Sequence, residues 1–292
     1  MNKILILGCT GMLGHVLIHE LSKNRNMEVH GTARDISSLD DSFKNGINIH
    51  AGIEARDTAK IRNLLRKLKP DVVINSIGII KQLPLASDFL ASITINALFP
   101  HQVAEICGEL NIRMIHVSTD CVFSGKTGNY VEGDFPDADD LYGRTKYLGE
   151  VKYPHCVTLR TSIIGHELKR EYSLIEWFLS QESKIKGYTN VIYSGFPTVE
   201  MAHIILNYVI ACPELSGLYQ VSSDPISKYE LLKLVAKKYN KPIEIEPFDE
   251  IRENKSLNSS TFRKITGYEP PSWQILVDKM YENYMQSPYY LK

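Results

Sequence analysis

The chain has 292 residues, of which 43% are hydrophobic and 23% charged, and its 33 Lys and Arg against 34 Asp and Glu leave a net charge of −1. That balance excludes a strongly basic nucleic-acid binder and sets the composition apart from disordered, collagen-like and disulfide-dense chains. At roughly 150 residues per domain, the length fits about two domains, or one α/β domain with an appendage.

The N-terminus passes from Met1-Asn2-Lys3 into a predicted strand, Lys3 to Leu7, too short for a signal peptide and without a small-residue cleavage site. No apolar run approaches the roughly 18 residues of a bilayer span, so no membrane partner is expected. Cys9, Cys107, Cys121, Cys156 and Cys212 form no C-x-x-C pair. Buried thiols in a reducing, cytoplasmic compartment are the economical expectation.

Gly8-Cys9-Thr10-Gly11-Met12-Leu13-Gly14 joins the first strand to a helix predicted over Met12 to Lys23. Glycine permits a tight turn and close approach of backbone to a pyrophosphate, which then meets the free N–H groups at the positive end of the helix. The next predicted strand, Glu28 to Ala33, ends in Arg34-Asp35. A guanidinium there can hold a 2′-phosphate, whereas a carboxylate would take a ribose 2′-hydroxyl. NADPH is therefore the expected cofactor, with NADH the alternative should Asp35 occupy that place.

Strands are predicted at Ile47 to His50, Asp71 to Ser76, Arg113 to Ser118 and Cys156 to Thr161, and helices at Thr58 to Leu68, Ser87 to Leu110 and Leu141 to Lys152. Runs such as Val72-Val73-Ile74 are apolar without alternation, as in a parallel sheet covered on both faces. The fold class expected is α/β, a Rossmann-type doubly wound parallel sheet with a smaller, partly interleaved C-terminal α/β lobe. In that second part, helices are predicted near Leu174 to Gln181, Val199 to Ala211, Lys228 to Tyr239 and Ser272 to Met285, with extended pieces at Leu218 to Ser222 and Pro242 to Pro247. The boundary, soft because elements interleave, separates 1–165, a cofactor-binding domain, from 166–292, a substrate lobe.

Tyr142 and Lys146 stand at i and i+4 on one helix face. A nearby ammonium favours the phenolate and makes the pair a tunable acid. Thr119 closes the predicted strand Arg113 to Ser118, where ligand crevices open in such sheets. A metal site is not expected: His15 and His19 share a helix face but no third ligand is suggested. Asp134, Asp137, Asp139 and Asp140 read as a solvated loop, and Ser118 lacks the G-x-S-x-G elbow of a hydrolase.

These motifs in this order resemble the extended short-chain dehydrogenase/reductases, and within them the dTDP-4-dehydrorhamnose reductase-like branch. The carrying segments are Gly8 to Gly14, Pro70 to Asn75, Val117-Ser118-Thr119-Asp120-Cys121-Val122-Phe123-Ser124-Gly125 and Leu141-Tyr142-Gly143-Arg144-Thr145-Lys146-Tyr147-Leu148-Gly149-Glu150, continued by Arg160-Thr161-Ser162 and Gly217-Leu218-Tyr219. The resemblance implies reduction by NADPH of the C4 ketone of a nucleotide-linked 4-keto-6-deoxyhexose for polysaccharide synthesis, with Thr119, Tyr142 and Lys146 as the catalytic triad. The implied cofactor contacts are Gly8, Thr10, Gly11, Met12, Leu13, Gly14, Arg34, Ser76, Ile77, Gly78, Tyr142 and Lys146. Substrate contacts are expected at Asn96, Thr119, Asp120, Lys81 and Tyr188, with Arg160 a candidate for the phosphates; the assembly state is left open, a homodimer included.

Departures from the branch bear on the substrate: Cys121 replaces a common tyrosine, and Asn75 to Lys81 replaces the usual small, polar stretch. A UDP-linked N-acetylated 4-keto sugar is one alternative. A 4,6-dehydratase or epimerase is another, although a dehydratase would carry Glu where Cys121 stands. From a different class comes a non-catalytic, NADP-binding regulatory subunit such as the branch member that partners methionine adenosyltransferase.

Overall fold

A computed structural model describes residues 2–168, 172–287 and 289–290. Ile4, Leu5, Ile6 and Leu7 of strand β1 (Asn2–Leu7) are all fully buried, because helices cover both faces of the sheet they enter. Helix α1 (Gly14–Ser22) leads back to β2 (Met27–Thr32), and α2 (Asp41–Lys44), β3 (Asn48–His50), α3 (Thr58–Leu68) and β4 (Val72–Asn75) follow. Then come α4 (Phe89–Ser92), α5 (Phe99–Glu109), β5 (Arg113–Thr119), α6 (Leu141–Leu148) and β6 (Cys156–Thr161). The seven-stranded sheet runs in the order Gly217–Gln220, β6, β5, β4, β1, β2, β3, and its strands are paired in parallel. From β1 the chain winds outward through β2 and β3, then crosses to β4 and winds the other way. The carboxyl ends of β1 and β4 therefore border a topological switch point, where such sheets open a ligand crevice.

Two apolar layers flank the sheet. On one side Leu5, Leu7, Ile61, Leu65, Phe99, Val103 and Met114 pack beneath α3 and α5. On the other, Ile4, Ile6, Leu17, Ile18 and Leu159 meet Ile204, Ile205 and Val209 from the second half of the chain. That half also contributes parallel Ile185–Tyr188 and Ile245–Phe248, and a mixed set in which Val191–Tyr193 lies between Ile226–Ser227 and Glu253–Asn254. Among the described residues, no helix is long and apolar enough to cross a membrane.

The expected long helix from Ser87 to Leu110 is broken into α4, a wide π-helical turn at Ile93–Leu98, and α5. Pro100 has no N–H to offer the carbonyl of Asn96 four residues earlier, which accounts for the loss of regular α-helical bonding there. The same wide turn receives α6, whose helical span ends at Leu148 rather than at Lys152. A Cβ on Gly149 would collide with the Asn96 carbonyl oxygen, and one on Gly143 with the Cys121 carbonyl. Glycine at both positions lets the α6 backbone lie directly on its neighbours.

Gly149→Ala is accordingly expected to destabilise the protein by about 1–3 kcal/mol through overpacking. Urea unfolding checks this; wild-type stability in the variant would contradict the close-approach account.

Candidate active site

The glycine turn after β1 forms a cradle. Gly8 has φ of 85°, the left-handed region, and a Cβ on it would stand 2.7 Å from Ile77 Cγ1. A Cβ on Gly14 would strike the Gly8 carbonyl, whereas Gly11 is exposed and would meet only that carbonyl oxygen, at 3.5 Å. Helix α1 starts with no side-chain cap at Leu13 and no acidic residue in its first turn. Uncapped N–H groups, the positive end of a helix and an unobstructed glycine suit an anionic phosphate. Thr10 and Met12 are half-buried, and Leu13 sends its side chain into the core, so only its backbone can serve a ligand.

Ser76 fastens the far wall to this turn, its hydroxyl donating to the Leu7 carbonyl at 2.7 Å. At the end of β2, Arg34 is exposed. Both carboxylate oxygens of Asp35 engage Ser37, one accepting from its N–H and the other from its hydroxyl, each at 2.8 Å. The donor set thus fits a nicotinamide dinucleotide, with the guanidinium rather than the carboxylate suited to the adenosine end.

The residues expected to transfer the proton lie where α6 crosses the carboxyl end of β5. Asp140 caps α6 by accepting from the Gly143 N–H at 2.8 Å and pairs with Lys81 Nζ at 2.7 Å. That ammonium stands 5.8 Å from the centre of the half-buried Tyr142 ring. Lys146 is buried and donates from Nζ to the Val117 carbonyl at 2.9 Å. A Cβ on Gly78 would come within 3.9 Å of the same Nζ, which puts this glycine beside the lysine. The Thr119 hydroxyl donates to Asp120 Oδ1 at 3.1 Å and accepts from the Cys121 N–H at 3.1 Å.

Burial governs the charge states. It pushes the Tyr142 phenol well above its ordinary range, with the nearby Thr119 hydroxyl acting the other way. It pulls Lys146 down to about 8, opposed by the Glu150 carboxylate. The i, i+4 spacing alone suggests a lysine that acidifies the phenol. In the fold the Lys146 ammonium is spent on a backbone carbonyl, and desolvation of the phenol outweighs it. The Cys121 thiol is pushed up to about 12 by burial and the neighbouring Asp120, so it stays protonated.

Asn96 changes role between sequence and structure. Its side chain is buried and closes a two-way clasp on Ile79, accepting from the N–H at 2.8 Å and donating to the carbonyl at 3.0 Å. It therefore shapes the wall beside Gly78 instead of facing a substrate. Arg160 cannot serve a phosphate: it is 1% exposed and bidentate to Glu150, with Nε and one terminal nitrogen each 2.7 Å from a carboxylate oxygen. Tyr188 meets the ring of Phe248 at 5.8 Å, which ties it to its neighbouring strand rather than to the triad. His15 hydrogen-bonds the Gly11 carbonyl and the Tyr290 hydroxyl, while His19 stacks on Tyr289, so both belong to an aromatic cluster. The acidic loop spends Asp134 on Val131, Asp137 on Ser124 and Asp140 on α6.

Two residues near the site escape the motif pattern. Lys255, which pairs with Glu253 at 3.2 Å, acts electrostatically on both Asp120 and Cys121, and Tyr193 adds a buried phenol near Asp120. Tyr193 ends a late, short strand and Lys255 directly follows another, with no local signature of chemistry at either.

A family model described as the RmlD substrate binding domain matches residues 1–286. The probable low-salt glycan biosynthesis reductase Agl14 of Haloferax volcanii is 30% identical over 54% of this chain, a match spanning about half, 52%, of that relative. The dTDP-4-dehydrorhamnose reductase of Aggregatibacter actinomycetemcomitans is 25% identical over 94% of this chain and 96% of its own length. Methionine adenosyltransferase 2 subunit beta of Xenopus tropicalis is also 25% identical, over 95% and 89%. Among solved structures, the Bacillus anthracis dTDP-4-dehydrorhamnose reductase in complex with NADP superposes with a TM-score of 0.78 over 97% of this chain and 99% of its own, at 20% identity. That likeness establishes the doubly wound fold.

Burial raises the Asp120 carboxyl above its ordinary range, Thr119 and Lys255 opposing. A raised carboxylate penalises the folded state above its folded pKa, and the penalty fades as pH falls through it. Asp120→Asn should therefore be more stable than wild type at pH 7 and lose that advantage toward pH 3. Urea melts at the two pH values decide; equal destabilisation at both would refute the assignment.

Proposed function

The chain belongs to the RmlD substrate binding domain family, and from that membership we propose that it is an NADPH-dependent reductase of the C4 ketone of a nucleotide-linked 4-keto-6-deoxyhexose, of the dTDP-4-dehydrorhamnose type. The observation that carries the proposal is the meeting of Tyr142, Thr119 and Lys146 at the carboxyl end of β5, beside Gly78 and the glycine cradle. Residues 1–165 form the cofactor side in this reading and 166–292 the sugar-nucleotide side.

The Gly8 to Gly14 turn would hold the pyrophosphate, Arg34 the 2′-phosphate, and Ser76, Ile77, Gly78 and Lys146 the nicotinamide half. Bound NADPH supplies the hydride to the ketone carbon. Tyr142, held protonated by burial, gives its proton to the oxygen that becomes the hydroxyl. Thr119, whose hydroxyl stands near that phenol and donates to Asp120, turns its proton to the same oxygen. Both donors bind a developing alkoxide more strongly than a neutral ketone, which lowers the barrier. Lys146, fixed by the Val117 carbonyl, keeps a cation near the phenolate left after transfer. Asp120 and Lys81 line the sugar side, the latter reaching over the Tyr142 ring.

A protonated thiol at Cys121 is a poor replacement for the carboxylate a dehydratase needs, which favours simple reduction. The similarity to methionine adenosyltransferase 2 subunit beta over 95% of the chain supports a second reading, a regulatory subunit that binds the cofactor without turnover.

Purified protein offered NADPH with dTDP-, UDP- and GDP-linked 4-keto-6-deoxy sugars should oxidise the cofactor stoichiometrically with at least one. A dehydratase or epimerase would show no net oxidation, and a regulatory subunit would bind NADPH without reacting on any. Tyr142→Phe is expected to lose roughly 10²–10⁴-fold in kcat, and full activity in it would overturn the mechanism. Arg34→Ala should raise KM for NADPH more than for NADH; an unchanged preference would remove Arg34 from the cofactor site.

A further inference from the structure

Behind Lys146 lies a buried polar assembly that the proposed chemistry does not use. Glu150 follows Lys146 by four residues, as Lys146 follows Tyr142, but beyond the end of α6. Its carboxylate accepts from the Ser118 hydroxyl at 2.8 Å and from two nitrogens of Arg160, each at 2.7 Å. Both members of the ion pair are 1% exposed. The Arg160 guanidinium lies 5.1 Å from the Phe123 ring, which itself stacks on Tyr130 at 4.1 Å. Glu150 thus ties the exit of α6 to β5 through Ser118 and to β6 through Arg160. Ser118 sits between Val117, whose carbonyl holds Lys146, and Thr119 of the triad.

A buried ion pair is weak as a stability device, because desolvation offsets most of its attraction. Its placement suits another task. We infer that Glu150, clamped by Arg160 and Ser118, is a positioning residue for Lys146: it fixes the strand end that seats the ammonium and supplies the fixed negative charge that acts on it. The charged and titratable neighbours of Lys146 support this. From β5 comes His116, buried and held well below its ordinary pKa by burial and by the Lys146 charge. From the β4 loop and the π-helical turn come uncharged Gly78 and Asn96. From α6 comes the protonated Tyr142 phenol. Glu150 is the anion among them, and its effect on Lys146 opposes desolvation. Arg160 holds that carboxylate in place through two parallel hydrogen bonds.

The importance of the arrangement for catalysis rests on the role given to Lys146 above, but its first test does not. The ¹³Cε-lysine-labelled protein is titrated by NMR without cofactor, the Lys146 signal being identified by its loss in Lys146→Arg. The midpoint should lie near 8 in wild type. Glu150→Gln alone strands the Arg160 charge, so Glu150→Gln/Arg160→Met removes both charges together and should lower the midpoint by about one pH unit, a tenfold change in proton affinity. Arg160→Lys, which keeps the carboxylate paired, should leave it in place. Should the double variant not fold, Glu150→Asp, which withdraws the carboxylate by one methylene, should move the midpoint in the same direction. A wild-type midpoint in whichever of the two Glu150 variants folds, the double variant or Glu150→Asp, overturns the inference. The alkaline limb of kcat with a 4-keto sugar should move down with the midpoint. A midpoint that shifts while that limb stays would remove Lys146 from the proposed reaction and leave the inference about Glu150 standing.

Discussion

Everything at the site depends on how closely the backbone of α6 approaches its neighbours. Gly143 rests on the Cys121 carbonyl and Gly149 on that of Asn96, and any side chain at either position would force the helix away. That proximity lets Lys146 reach a strand carbonyl and brings Tyr142 to Thr119. The break ahead of Pro100 makes room for it, since the wide turn that receives Gly149 is where a regular helix loses a hydrogen bond. Backbone contacts of this kind define position more sharply than interdigitated side chains, which can adjust their rotamers. The geometry of the candidate site is therefore set by the absence of side chains as much as by their presence.

The parts of the fold written in local chemistry were legible in the sequence. Continuous apolar strands, the glycine turn and the Tyr142–Lys146 spacing each have a short-range cause, and the strands predicted at Lys3, Asp71, Arg113 and Cys156 all lie in the central sheet. The parts that depend on burial were not. Nothing in the neighbourhood of Arg160 in the sequence distinguishes a solvent-facing phosphate ligand from the partner of a carboxylate ten residues earlier. Asn96 likewise reads as a polar residue available to a ligand until the Ile79 backbone is seen to occupy both ends of its amide. Lys255 follows a two-residue strand that carries no periodic signal, so only the tertiary fold brings it to Asp120.

A chain with net charge of −1 attracts an anionic cofactor and substrate only through local fields. Here these are the uncapped start of α1, Arg34 at the end of β2, and the lysines at 81, 146 and 255 around the β5 terminus. The same low-dielectric packing that strengthens those fields also decides which groups stay neutral. Tyr142 and Cys121 keep their protons and His116 stays uncharged, all chiefly because they are desolvated. A phenol that keeps its proton, as the proposed acid must until substrate arrives, follows from the packing itself.

The strand Gly217–Gln220 has a consequence for how the molecule is assembled. It pairs with β6, every residue of which is buried, so β6 is an interior strand only after the chain has run through more than fifty further residues. A nascent polypeptide that has emerged only as far as β6 presents an apolar strand edge with open backbone hydrogen-bonding groups, a template for unwanted pairing. The contact that closes it is long in sequence separation and slow to form. The strand bearing Arg160 is thus sealed by a later part of the chain, and completion of the buried clamp behind the site is coupled to the arrival of the second half of the molecule.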